Sequence, residues 1–231
     1  MSNFFNMDNK FFTALGRIAD MIILNVIFVV CCIPIVTIGA AWTAMYYVAL
    51  KMVKNEESYI IRSFLKSFKD NFKQATIIWV IFLIAGIILG VDFWVMTGVT
   101  AAWGKVFFYA LGVVALMYAF TLAYVFPVLS KFYNTTKNTV KNAFLMSLRH
   151  LPWTILIVLI TYLPLIIFFF LTQIFFVILP FWIIAGFGVQ AFVSSYIFVR
   201  VFKHYMPEET EMEETEFHVP IADEDSKTDN E

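Results

Sequence analysis

The sequence predicts an all-α fold, a polytopic transmembrane helical bundle, and three observations carry that reading. Apolar residues make up 61% of the chain and charged residues 14%, with a mean hydropathy of +0.81. A soluble domain is nearer half apolar and a quarter charged. The apolar residues also gather in runs of about the 20 residues a bilayer crossing needs. The bases gather between those runs, on alternate sides, and Lys and Arg mark cytoplasmic loops.

Five runs are predicted to be full spans: residues 14–33, 75–95, 106–129, 151–171 and 174–199. A sixth, residues 40–53, is short. It follows Pro34-Ile35-Val36-Thr37-Ile38-Gly39, where the proline and the glycine should interrupt a helix. Lys10 and Arg17 put the N-terminus inside, and Lys51, Lys54, Arg62, Lys66, Lys69 and Lys73 belong inside as well. The chain must therefore go out and return before Lys51. Residues 40–53 either cross a thinned region or form a re-entrant return shielded by protein.

The later runs alternate. Residues 92–105 fall outside, 131–150 inside, Thr172-Gln173 outside, and Arg200 and Lys203 inside with the C-terminus. Of the 16 bases, only Lys105 is then outside. Both termini are expected on the cytoplasmic side. A cut after Ala40 would put Ile38 at its −3 position, which argues against a cleaved signal peptide.

Two amphipathic segments separate the runs. In the first, Ile61, Phe64, Leu65, Phe68 and Phe72 recur at helical spacing beside Arg62, Lys66, Lys69 and Lys73. In the second, Val140, Phe144, Leu148 and Leu151 stand beside Lys137, Lys141 and Arg149. Both are expected as cytoplasmic-side helices in the interface, drawn to anionic inner-leaflet lipid at about 1 kcal/mol per base. They read as membrane-seated connectors or as docking sites for a cytoplasmic partner.

A shift of 80 residues lays Val48 on Val128, Lys51 on Lys131, Phe64-Leu65 on Phe144-Leu145 and Ser67 on Ser147. That order suggests a parallel internal repeat.

Residues 1–205 form the predicted transmembrane domain, and residues 206–231 an acidic, disordered cytoplasmic tail. From Glu208 onward the tail holds 11 of the 17 acids and one base, Lys227, a balance of −10. Such a segment cannot bury enough apolar surface to fold alone. Cys31 and Cys32, adjacent within an apolar run, read as small packing residues.

No nucleotide loop, nucleophile elbow or zinc-protease helix is present in the sequence, so neither an enzyme nor a cofactor is expected. The bases are interleaved with membrane-seated stripes, which argues against nucleic acid as a partner. Polar residues inside apolar runs are the candidate sites, since burying them is costly. Arg17 and Asp20, at i and i+3, can form an interfacial pair. Asn25 and Gln190 are expected to bond between helices or to contact a substrate. Pro34, Thr37 and Gly39 mark either a tight outer turn or the lining of a polar cavity.

Arg17-Ile18-Ala19-Asp20, Leu24-Asn25 and the run Ile33 to Ala40 resemble the N-terminal signature of the YesL-like family of bacterial membrane proteins. Tyr46-Tyr47, Leu50-Lys51, Asn55-Glu56-Glu57 and the run Phe64 to Ala75 continue the likeness, which is dense over residues 11–79 and looser to about 205. The acidic tail is not part of the family's pattern. The resemblance implies a plasma-membrane location and an accessory or permease-like role in carbohydrate uptake, with sugar-transporter subunits as partners. The alternative is a non-transporting organising or regulatory protein whose amphipathic helices and tail bind partners.

Overall fold

The computed structural model describes residues 10–56, 59–99 and 102–206, and no strand occurs among them. Helix α1 (Lys10–Cys31) leads through a 3-10 turn (Ile35–Thr37) into α2 (Ile38–Val53). Helices α3 (Ile60–Thr97), α4 (Ala102–Lys131), α5 (Thr136–Arg149) and α6 (Leu151–Phe170) follow. The chain ends in a rod made of α7 (Thr172–Phe181), a π turn (Trp182–Gly186) and α8 (Phe187–Lys203). Among the described residues, five segments are long and apolar enough to cross a membrane: Ile35–Val53, Ile60–Thr97, Trp103–Lys131, Leu151–Phe170 and Thr172–Lys203. The predicted run 14–33 is α1. The acidic tail falls outside the described residues from 207 onward.

The short sixth run is the most enclosed element of the fold. Two-thirds of Ile35–Val53 is buried, against about a tenth of the apolar part of α3. Small side chains make this enclosure feasible, because Gly39, Ala40, Ala41, Ala44 and Ala49 let α3, α4 and α8 approach closely. Tyr46 and Tyr124 both set their rings edge-on to Phe198. A helix sheathed by protein does not have to match the lipid thickness with its own length.

The register of α2 against α3 is fixed at three places. A Cβ on Gly39 would lie 2.6 Å from both the Ala75 carbonyl oxygen and Trp79 Cβ. Trp79 Nε1 donates to the Ile35 carbonyl at 2.8 Å. Tyr47 shares a cleft with Lys66, Ser67, Asp70 and Asn71. Helix α2 therefore starts where the apolar half of α3 begins and runs antiparallel to its basic first half. Beyond Trp79, α3 pairs mainly with α4, through Tyr118 donating to the Phe82 carbonyl at 2.9 Å and Phe93 edge-on to Phe108.

The first amphipathic segment departs from expectation. It is not a separate interfacial helix but the first half of the 38-residue α3. Neither Pro nor Gly stands between Lys73 and Ala75, so nothing ends the helix before the span. Its apolar stripe is split: Phe64 is buried and Phe68 half-buried, while Ile61, Leu65 and Phe72 are exposed.

The second segment is a separate helix, α5, because the chain is capped and broken around it. Thr135 accepts from the Asn138 backbone N–H, His150 leaves helical geometry, and Pro152 occupies the first turn of α6. Its buried face is Thr139, Ala143, Met146 and Ser147; Val140 and Phe144 are half-buried, and Leu148 and Leu151 face outward. Ser67 and Ser147, which the 80-residue shift superposes, are both buried, but the first segment is fused to the span that follows it and the second is broken from its own.

Candidate functional site: an aromatic chamber beside a π turn

Asn25 anchors the middle of the bundle. Its Nδ2 donates to the carbonyls of Ile183 at 2.6 Å and Trp182 at 3.3 Å, and its Oδ1 accepts from the Gly188 backbone N–H at 2.8 Å. A π turn shifts the helical hydrogen-bond ladder by one residue and so exposes carbonyls. One side chain on α1, fully buried, serves both of them. The approach requires glycine, since a Cβ on Gly188 would lie 2.7 Å from the Met21 carbonyl oxygen. Pro180, lacking an N–H, loosens the same stretch of the rod just before the π turn.

Gln190 lies one turn further along α8. Its Nε2 donates to the Thr161 carbonyl on α6 at 2.9 Å, while its Oε1 is buried without a partner. Of the two expectations for Asn25 and Gln190, both residues make interhelical bonds.

The turn between α1 and α2 is closed on itself. Thr37 Oγ1 lies 2.6 Å from the carbonyls of Cys31 and Pro34, and Trp79 covers Ile35. Pro34, Thr37 and Gly39 thus build a tight turn seated on α3. Arg17 does not pair with Asp20. Its Nη2 donates to Asn55 Oδ1 at 2.6 Å, and no Arg17–Asp20 ion pair occurs among the described residues. Asn55 closes the α2–α3 connection with φ at 58°, a conformation Asn tolerates better than most residues, so its carbonyl side chain is presented to α1.

All seven predicted interface bases are exposed: Arg62, Lys66, Lys69 and Lys73 on α3, Lys137 and Lys141 on α5, and Arg149 at the end of α5. Lys137 and Lys141 border a groove of about 670 Å³ whose other walls are apolar residues of α3, α4 and α5, among them Phe82, Leu89, Val114 and Phe144. At the same end, His150 Nε2 lies 3.3 Å from the Tyr205 hydroxyl, and its ring is 5.4 Å from that of His204. Burial, His204 and Arg149 together hold the His150 pKa below the usual histidine value.

Sequence reasoning passed over an aromatic chamber. Between α2, α3, α4, α6 and the α7–π–α8 rod lies a chamber of about 440 Å³, walled chiefly by Trp42, Tyr46, Trp79, Phe126, Tyr162 and Trp182. Trp42 packs against Phe28, Tyr46 and Phe187, which ties the chamber wall to α1 and α8. None of its sixteen lining residues is charged. A signal for it existed: Tyr and Trp favour the ends of spans, yet Tyr46, Tyr162 and Trp182 stand inside apolar runs. Among the described residues no cluster of His, Cys, Asp and Glu could hold a metal.

Residues 21–93 match a family described as "Protein of unknown function, DUF624". The match covers the second half of α1, the turn that follows it, α2 and nearly all of α3, the part of the chain that sets the register of α2. Neither the curated proteins nor the solved structures compared with the chain gave a match.

Proposed function

We propose that this membrane-type helical protein is a non-enzymatic accessory component that grips lipid and a partner at its inner face and conducts no polar solute through its own bundle. The observation that carries the reading is the filled centre. Helix α2 fills the centre of the bundle beside the basic half of α3, and its buried polar side chain Thr43 bonds to the Gly39 carbonyl within the same helix. A sugar pathway needs convergent polar groups, and the chamber beside α2 is almost wholly apolar.

On this reading the hydrocarbon layer surrounds the apolar half of α3 and the parts of α4, α6 and α7 level with it. The basic half of α3 then stands at the inner face, and α1 and α2 form a re-entrant hairpin whose tip is the Pro34–Gly39 turn. The groove at Lys137 and Lys141 suits an anionic inner-leaflet lipid, with the headgroup at the ammonium groups and an acyl chain along α3 and α4. The YesL-like resemblance supplies the process, carbohydrate uptake at the plasma membrane, and the partner class, sugar-transporter subunits.

Two experiments test the proposal. Affinity purification from mild detergent should recover sugar-transporter subunits, and deletion of the gene should lower uptake of at least one sugar. Normal uptake of every sugar tested, with no such subunits recovered, would remove the carbohydrate role. Liposomes carrying the purified protein alone should pass no labelled sugar; flux through them would overturn the accessory reading.

A further inference from the structure

We infer that the cleft where α2, α4 and α8 end together is the dock for the chain's own acidic segment, residues 208–216. Lys51 and Lys54 at the end of α2, Lys131 at the end of α4 and Lys203 at the end of α8 line it, together with Glu56. Each of the three helices carries a lysine in its last turn, where a cation offsets the partial negative charge of the terminal carbonyls. Four ammonium groups against the one Glu56 carboxylate leave a balance of +3. The three helix ends, at about half a negative charge each, remove only about half of it. The cleft is therefore cationic after its own helices have been served. Two of the bases are held in place: Lys51 Nζ lies 4.9 Å from the centre of the Tyr47 ring, and Lys54 Nζ lies 3.5 Å from Glu56 Oε1.

Size and position select the occupant. The cleft is narrow, about 90 Å³ against about 670 Å³ for the groove at Lys137 and Lys141, so it suits carboxylate heads and not an acyl chain. Met206, the last described residue, lines it. Glu208, Glu209, Glu211, Glu213, Glu214 and Glu216 follow within ten residues, with no base among them. A run of like charges of this kind is an interaction segment. At about 3.3 Å per extended residue, all of it is within reach of the cleft from Met206. So short a tether gives an effective concentration in the millimolar range, which any anion from solution has to exceed. Charge complementarity and the tether together favour the chain's own segment. The dock is separate from the lysine groove on α3, α4 and α5, and neither depends on the other.

Amine acetylation of the purified full chain in a neutral detergent, read lysine by lysine by mass spectrometry, tests the inference. The comparison is a variant combining Glu208→Gln, Glu209→Gln, Glu211→Gln, Glu213→Gln, Glu214→Gln and Glu216→Gln. At low salt the variant should acetylate at Lys51, Lys54, Lys131 and Lys203 at least about fivefold faster than the parent, as expected if the dock is filled in about four-fifths of the molecules. Lys69 and Lys137, exposed and outside the cleft, should change less than about twofold. Salt of about 1 M, where the screening length is about 3 Å, should reproduce the increase in the parent.

Zero-length carbodiimide coupling of the parent should also join residues 208–216 to the cleft lysines, and it decides the matter if the variant does not fold. In an equal mixture of isotopically labelled and unlabelled chains, each joined pair of peptides should come from one chain. Unchanged acetylation of the cleft lysines, or no coupling to them, would overturn the dock. An equal rise at Lys69 and Lys137 would overturn its location by spreading the segment over the whole basic face. Joined pairs of mixed isotope would overturn the intramolecular occupant in favour of a second copy.

Discussion

The two halves of α3 carry one unbroken helix through opposite surroundings. Its first half bears Arg62, Lys66, Lys69, Asp70 and Lys73 and packs along α2, the most enclosed helix in the molecule. Its second half carries one charged residue, Asp92, and packs mainly on α4, with Ile81, Ile84 and Ile88 facing outward. The lesson is that length and hydropathy do not identify the helix that holds a membrane protein together. The shortest apolar segment is the one every neighbour leans on, and it is flanked by the most charged stretch of the described chain.

The sharpest way to break this contrast is to place the same bulk in both halves. Gly39→Leu drives a side chain into the Ala75 backbone and Trp79. It should cost 3 kcal/mol or slightly more, about the upper end for overpacking, and abolish a folded peak in detergent gel filtration. Gly112→Leu, on the α4 side of the outer hairpin with open space around its Cβ position, should stay within about 0.5 kcal/mol of the parent. Similar losses at both positions would mean that the outer hairpin is as tightly enclosed as α2.

A smaller effect is expected where α1 holds the π turn. Asn25→Leu leaves two carbonyls and the Gly188 N–H without their partner. It should destabilise by about 2 kcal/mol, near the top of the range for interhelical polar contacts in membranes, read as a lowered thermal midpoint. An unchanged midpoint would show that the π turn closes without α1.

The smallest effect belongs to the inner end. Because the folded His150 pKa lies below the ordinary histidine value, its neutral form is the stabilising one. That contribution is complete above the unfolded pKa and is lost as pH falls through the folded value. Thermal midpoints should drop modestly below about pH 6.5, and His150→Gln should flatten the drop. An identical pH profile in the variant would assign it to other groups.

Much of the fold was legible in the sequence because hydropathy and helix breakers act locally. Every predicted run became helix, and the chain breaks at Pro34 as its chemistry demands, whereas Gly39 does not interrupt a helix but lies in the first turn of α2. What was not legible depends on partners far along the chain. Arg17 chose Asn55, 38 residues away, over Asp20, because Asn55 sits in a left-handed turn at the foot of α2. The burial of α2 came from small residues whose value appears only when α3, α4 and α8 are set against them. The continuity of α3 was readable from the missing breaker at residues 74–76, but a helix long enough to join a charged and an apolar stretch overrides the usual division at the interface. The chamber was hidden because aromatic residues within apolar runs look like filling until several helices bring them together.

The central claim is that α3 leaves the hydrocarbon layer near Ala75, so that α2 is enclosed by protein at the inner side. Spin labels at Lys69→Cys and Ile84→Cys, in the reconstituted protein, test it most directly by their relative accessibility to oxygen and to a water-soluble nickel chelate. The account expects nickel access at residue 69 and oxygen access at residue 84. An oxygen-dominated label at residue 69 matching that at 84 would contradict it, by placing the basic half of α3, and α2 beside it, across the bilayer.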